Sequence, residues 1–270
     1  MSPLAEPSPA PAVRKRRKAG KRKAGTALAI IVPNGSEAHV DAKPPSSAWG
    51  GARNRGNRVS SALPLAKAEM VIAAAYRAVA IGLPFNRFVT IHFERAGLTD
   101  AEAISALGTI LKLAADWMRS RGAVIAHAWV RENDAGDGSK GSHVHILCHC
   151  PDTLPIGRMW QRWLRKATGN PYRTRSIKSA RVGGTLNCHA TSPALYRDNL
   201  DRVLAYVVKG VSPADAAALG LPRQADGGQI IGKRAGVSQN ARAQSGVLPT
   251  ACAAVMRGET ANPPRGGAVP

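Results

Sequence analysis

Gly141-Ser142-His143-Val144-His145-Ile146-Leu147 sets two imidazoles two residues apart, in a run whose alternation reads as a β-strand. Positions i and i+2 of a strand face the same way, so His143 and His145 could hold one divalent cation. About sixty residues later, Tyr206-Val207-Val208-Lys209 reads as helical, with Tyr206 and Lys209 three apart and so on one face. A metal site together with a tyrosine served by a lysine suggests phosphodiester cleavage through a covalent protein–nucleic acid link.

Both features stand apart from the core pattern around them. His143, His145 and His149 share one face of their strand, and Val144, Ile146, Cys148 and Cys150 share the other. That alternation keeps Cys148 and Cys150 away from any metal the histidines hold, so they read as packing residues rather than a zinc finger. The apolar stripe of the tyrosine helix is Tyr196, Leu200, Val203, Leu204 and Val207. Asp198, Arg202, Tyr206 and Lys209 form a separate polar stripe, which leaves Tyr206 out of register with the core.

The elements that must position these residues fall between about 62 and 238. Pro64 to Ile81 is Ala-rich and helical, and Asn86 to Glu94 alternates as a strand, with Thr90, His92 and Glu94 on its polar face. Thr99 with Glu102 three residues on is a capping-box spacing that opens a helix to Arg121, its expected stripe being Ile104, Leu107, Leu111 and Ala114. Ala123 to Glu132 reads as a strand, and a long hairpin loop, Asn133 to Ser142, joins it to the histidine strand. A helix from Ile156 to Lys166 turns Ile156, Trp160, Trp163 and Leu164 inward and Arg158, Arg162 and Arg165 outward. A strand over Arg175 to Val182 follows, and Ser192-Pro193 opens the tyrosine helix. Strand, helix, strand, strand, helix, strand implies an α+β fold: a ferredoxin-like or RRM-like antiparallel sheet, helices on one face, the histidine strand central. Thr90, His92 and Glu94 would then lie beside His143 and His145.

These residues, taken in order, resemble the motifs of the HUH endonucleases, specifically the single-tyrosine Rep class that initiates rolling-circle replication of plasmids and small phages. Phe88-Val89-Thr90-Ile91 is similar to that family's first motif, His143-Val144-His145 to its second and Tyr206-Val207-Val208-Lys209 to its third, across roughly residues 85 to 210. The resemblance implies that His143 and His145 hold Mg²⁺ or Mn²⁺ and that Tyr206 attacks single-stranded DNA at an origin or hairpin, with Lys209 assisting. A 5′-phosphotyrosine and a free 3′-OH would result, with a host helicase and polymerase as partners. The family's third ligand is usually a carboxylate from a neighbouring strand. By position that is Glu132, although Glu132 falls in step with Ala126, Ala128 and Val130, which read as core-facing. A bulge at the strand end would turn it; otherwise His92 or Glu94 could serve. A single-tyrosine transposase of the same superfamily and a non-enzymatic basic DNA-binding protein are the competing readings.

Composition agrees with a polyanionic partner. The 270 residues hold 38 Lys and Arg against 17 Asp and Glu, a net charge of +21 with a pI near 10.9. Residues 1–60 read as a disordered basic tail, 61–240 as the nuclease-like domain and 241–270 as a second disordered tail. Arg158, Arg162 and Arg165, in a stretch without acids, are expected to meet the DNA backbone, and Lys233 and Arg234 to add phosphate contacts. No segment approaches the roughly 20 apolar residues that span a bilayer. The four cysteines form no CxxC pair, and a bacterial cytoplasm is the expected compartment.

Overall fold

The computed structural model describes residues 58–134, 140–222 and 224–242. Most of the expected N-terminal tail, the C-terminal segment from 243 and residues 135–139 of the hairpin loop lie outside the described residues. In chain order the elements are β1 (Val59–Ser60), α1 (Leu65–Ala80), β2 (Arg87–His92), α2 (Asp100–Arg119), β3 (His127–Asp134) and β4 (Gly141–Cys148). Then come α3 (Met159–Thr168), β5 (Ile177–Arg181), α4 (Cys188–Thr191), α5 (Pro193–Val207), α6 (Pro213–Ala218), β6 (Ile230–Ile231) and β7 (Ala235–Val237).

The fold is α+β, built on an open five-stranded antiparallel sheet in the order β5-β2-β4-β3-β7, with β1 and β6 paired separately. Strands β2 and β4 are neighbours near its centre, and their register sets His92 opposite His143 and Thr90 opposite His145. Strand β3 pairs with the other edge of β4, setting Glu132 opposite His143 and Val130 opposite His145. Paired residues of an antiparallel ladder project to the same face. One face of the sheet therefore carries Thr90, His92, Glu132, His143 and His145, and the other carries Val89, Ile91, Trp129, Val144 and Ile146.

Helices cover both faces, not one. Helices α2 and α3 close over the apolar face through Leu107, Ile110, Ala114, Trp160, Trp163 and Leu164. A second cluster joins α1 and α5 to Ala126, Ala128, Val130 and Leu147, which lie on the histidine face. Those residues are core-facing as expected, but their core is the one beside the histidines. Glu132 is in step with them and with His143, so no bulge is needed to bring it round.

The local signals behave as their chemistry requires. Thr99 caps α2 in a complete capping box with Glu102. The buried stripe of α2 is Ala103, Leu107, Ile110, Ala114 and Met118, rotated so that Ile104 and Leu111 flank it. Helix α5 starts with Pro193 at its first turn and buries Tyr196, Leu200, Leu204 and Val207. Cys148 and Cys150 are buried free thiols, and burial pushes Cys148 up to about 12. No helix among the described residues is long and apolar enough to cross a membrane.

A polar hub ties the two ends of the histidine hairpin together. The Arg131 guanidinium, wholly buried, donates to Asp100 Oδ1 at 2.5 Å, to the Asp100 carbonyl at 2.6 Å and to the Ile231 carbonyl at 2.9 Å. Asp100 also accepts from Ser142 Oγ at 2.6 Å and from the Ile231 amide at 2.6 Å. One carboxylate thus fastens the start of α2 to β3, β4 and β6. Asp100→Ala strands a buried guanidinium and is expected to cost about 3–5 kcal/mol of stability. Urea unfolding measures this, and a loss below about 1 kcal/mol would show that Asp100 does not hold the hub.

Candidate metal and nucleophile site

Three ligand atoms converge on the histidine face. One from each of Glu132, His143 and His145 lies within 4.8 Å of the others, and all three residues are buried. Glu132 Oε2 is 3.4 Å from His143 Nε2 and 3.6 Å from His145 Nε2. Both imidazoles are oriented from behind. His143 Nδ1 donates to the Gly141 carbonyl at 2.7 Å, so in the neutral ring Nε2 keeps its lone pair. His145 Nδ1 lies 3.0 Å from Thr90 Oγ1. His145 Nε2 is buried without a hydrogen-bond partner. A buried orphan nitrogen beside a second nitrogen and a carboxylate is a donor set that fits a divalent cation.

Gly141 suits this corner through its left-handed backbone, with the exposed Glu94 side chain lying over it. Its φ is +58°, and a Cβ there would meet the Glu94 carboxylate at 1.4 Å. Glu94 is exposed beside the hairpin and is outside the ligand group. His92 is outside it too: its ring packs on His143 with centroids 5.5 Å apart. Of the three expected sources of a third ligand, Glu132 is the one that converges.

Lys209 and Tyr206 arrive from the end of α5. The helix ends at Val207, so Lys209 sits in the turn just past it rather than one helical turn on. Its ammonium lies 2.5 Å from both Glu132 oxygens and 4.4 Å from the centre of the Tyr206 ring. Tyr206 packs edge-on against His145 and Phe88, with centroids 5.1 and 6.1 Å away, and is 38% exposed. The ligands are buried while the phenol stands at the opening beside them.

The charges are mutually dependent. Burial pushes the Glu132 carboxyl up, but His143, His145 and the Lys209 charge outweigh it, and the group ends well below the usual carboxylate range. Burial lowers His145, partly offset by Glu132, which favours the neutral ligating ring. His92 is pushed down to about 4, by burial first and then by the charges of His143, Lys178 and Arg95.

The remaining expected contacts divide. Arg158, just before α3, and Arg162 and Arg165 on it are exposed, which puts them across the sheet from the triad. Arg234 is buried: its guanidinium donates to Ser60 Oγ at 3.0 Å, to the Ser60 carbonyl at 2.6 Å and to the Gly228 carbonyl. It holds β1 to the loop before β6 and is not presented to phosphate, a correction to the expected role. Lys233 is exposed, with its ammonium 5.4 Å from the centre of the Trp129 ring. His149 falls past the end of β4, its Nδ1 3.0 Å from the Pro84 carbonyl. Sequence reasoning placed Thr90 beside the histidines from its polar phase, and Phe88 and Thr90 in the first motif, but it did not foresee that Thr90 would orient His145 or that Phe88 would pack on it.

No protein-family model, curated protein or solved structure matches the chain.

Lys209 competes with any cation for the same two carboxylate oxygens. Lys209→Ala is expected to tighten Mn²⁺ binding about tenfold, or ~1.4 kcal/mol, in calorimetric titration, and Glu132→Gln to weaken it. Equal Mn²⁺ affinity in wild type and Lys209→Ala would show that the ammonium does not share the ligand. The histidine face should also make the fold acid-sensitive. The unfolded His92 imidazole protonates near 6.5 and the folded one only near 4. Between those values the unfolded chain binds the extra proton, so this stability is present above pH 6.5 and lost as pH falls towards 4. His92→Gln is expected to flatten that limb of a urea-unfolding series, and an unchanged limb would remove His92 as its source.

Proposed function

We propose that this protein is a metal-dependent endonuclease that nicks and rejoins single-stranded DNA through a 5′-phosphotyrosine link, a replication initiator of the HUH type. The observation that carries the reading is the convergence of Glu132, His143 and His145 within 4.8 Å, with Tyr206 packed on His145 and Lys209 between carboxylate and phenol ring. Three separate stretches of sequence supply these groups; the resemblance implied His143, His145, Tyr206 and Lys209, with Glu132 preferred by position over His92 and Glu94 as third ligand. The β5-β2-β4-β3 strand order is the order a ferredoxin-like sheet would have, and β7 extends it by one strand. A bacterial cytoplasm, where a replicating plasmid or phage would be met, is the compartment that accords with this role.

Glu132, His143 and His145 would hold Mg²⁺ or Mn²⁺, which supplies Lewis-acid polarisation of a scissile phosphate. One carboxylate oxygen and two imidazoles leave coordination positions for the substrate, as a catalytic site needs. Tyr206 Oη attacks phosphorus and forms the new P–O bond while the bond to the 3′-oxygen of the preceding nucleotide breaks. The phenolic proton leaves to solvent, and the departing 3′-oxygen takes one up. The products are DNA joined to Tyr206 through its 5′-phosphate and a free 3′-OH, from which a polymerase could extend. The reverse attack by a 3′-OH rejoins a strand and restores the phenol, so no external energy source is needed. Lys209 places a positive charge beside the phenol ring, where it favours the phenolate that attack requires.

The test is formation of a covalent adduct. Full-length protein with Mn²⁺ and a randomised pool of labelled single-stranded DNA is expected to give a shifted band on a denaturing gel. The band should vanish with EDTA, with Tyr206→Phe and with His143→Ala/His145→Ala. Binding of the pool without adduct would move the reading to a non-enzymatic DNA-binding protein.

A further inference from the structure

The eight Lys and Arg residues from Arg158 to Arg181 run without an intervening acid. Among the described residues none of the eight makes an ion pair. They follow a course through the fold. Arg158, Arg162, Arg165 and Lys166 line a groove of about 690 Å³ between α3 and the turn after it, closed by Asn170 and Tyr172. Arg173 and Arg175 follow, exposed, in the link from that groove to β5. Strand β5 is an edge strand, and its last four residues are exposed. Its register sends its charges to both sides: Lys178 lies opposite Thr90, on the triad's face, and Arg181 opposite Arg87, on the face of α2 and α3.

A second feature marks the same link. Arg175 has φ +66° and is the one non-glycine residue with positive φ among the described residues. Left-handed backbone disfavours a long side chain, and such conformations gather where a segment is held for use. Here it lies two residues before the edge strand, between the groove charges and Lys178.

We propose that this edge is a nucleic-acid track: a single strand leaves the triad's face at Lys178, passes round β5 by Arg175 and seats its backbone in the α3 groove. The inference rests on the triad being the face that meets single-stranded DNA. Unpaired cations on both sides of one strand suit a flexible polyanion, which can turn round an edge and release counterions at each phosphate. A membrane surface is flat and would meet the charges of one face only. Tyr172 in the groove offers a ring for a base to stack on. The sheet and the α3 layer separate groove from triad, so a short oligonucleotide held at Tyr206 would not reach Arg158, Arg162 or Arg165.

The experiment measures the salt dependence of binding by full-length protein, using random single-stranded DNA of about 6 and about 30 nucleotides. For the longer DNA, Arg158→Gln/Arg162→Gln/Arg165→Gln is expected to lower the log–log slope by about 2, and Lys178→Gln/Arg181→Gln by about 1.4, at ~0.7 per phosphate. The groove variant should bind the short DNA like wild type. An unchanged slope on the long DNA, or an equal loss at both lengths, would overturn the track. So would loss of binding to anionic phosphatidylserine vesicles with DNA binding intact, which would mark a membrane surface. Adduct formation on the short DNA reads the nicking chemistry separately: adduct with an unchanged slope sinks the track alone, and the slope change without adduct sinks the nicking alone.

Discussion

Glu132 lies opposite His143 in the β3–β4 ladder, and the chemistry of the site depends on that register. Side chains alternate with period two, so a slip of one residue would send Glu132 to the α2–α3 core and bring Arg131 or Asn133 to the imidazoles. The fold pins the pair from several sides. Arg131, one residue before Glu132, and Ser142, one before His143, both bond Asp100 Oδ1, so strand and counter-strand are gauged against the same oxygen. On the outer edge the Gly227 carbonyl accepts from the Asn133 amide, and Gly228, at φ +64°, lies where a Cβ would meet the Asn133 carbonyl at 1.5 Å. The hub and the glycine contact fix β3 along its length. The ligand triad follows from them.

Burying a carboxylate beside two imidazoles is costly unless positive charge is near. Lys209 supplies it, and the supply has a structural origin. Helix α5 is held by Tyr196, Leu200, Leu204 and Val207, which sets its last turn at the opening of the histidine face. The chain leaves the helix at Val208, and the next side chain reaches back to Glu132. A flexible ammonium stem can move aside for a divalent cation and remain close to Tyr206, which a guanidinium forked onto the carboxylate would do less readily. The same residue therefore adds to the two imidazoles in keeping the carboxylate ionised and lies beside the Tyr206 ring.

Periodicity within a strand was readable from the sequence, whereas the relation between strands was only partly so. Alternation separated His143 and His145 from Val144 and Ile146, and placed Thr90 and His92 on the polar side of their strand. The capping box at Thr99 and the off-core phase of Tyr206 were equally plain, because each rests on local spacing. Glu132 was harder. Its phase with Ala128 and Val130 is correct, but alternation does not say which of two cores an apolar residue faces. A single-core picture made the carboxylate look misdirected. Strands β1, β6 and β7, of two, two and three residues, are too short to carry a period, and they form through long-range pairing. Arg234 read as a surface charge because nothing local reveals that carbonyls of Ser60 and Gly228 converge on it.

The two faces of the sheet carry different kinds of order. Within the triad the groups are buried and held in place: Glu132 by Lys209, His143 by the Gly141 carbonyl, His145 by Thr90 through Nδ1. Beyond the edge at β5 the charges are exposed, of one sign and unmatched within the described residues. Buried matched groups set geometry, because any displacement leaves a group unsatisfied. Exposed like charges set affinity, because they gain most from a polyanion that neutralises them. A nucleic-acid enzyme needs both, and they conflict in one place: a strongly attracting surface at the triad would hold the DNA as tightly before reaction as during it. For the proposed function, attraction on the α3 side of the sheet and reacting groups on the other would remove that conflict. The edge strand between them is where a bound strand would join the two.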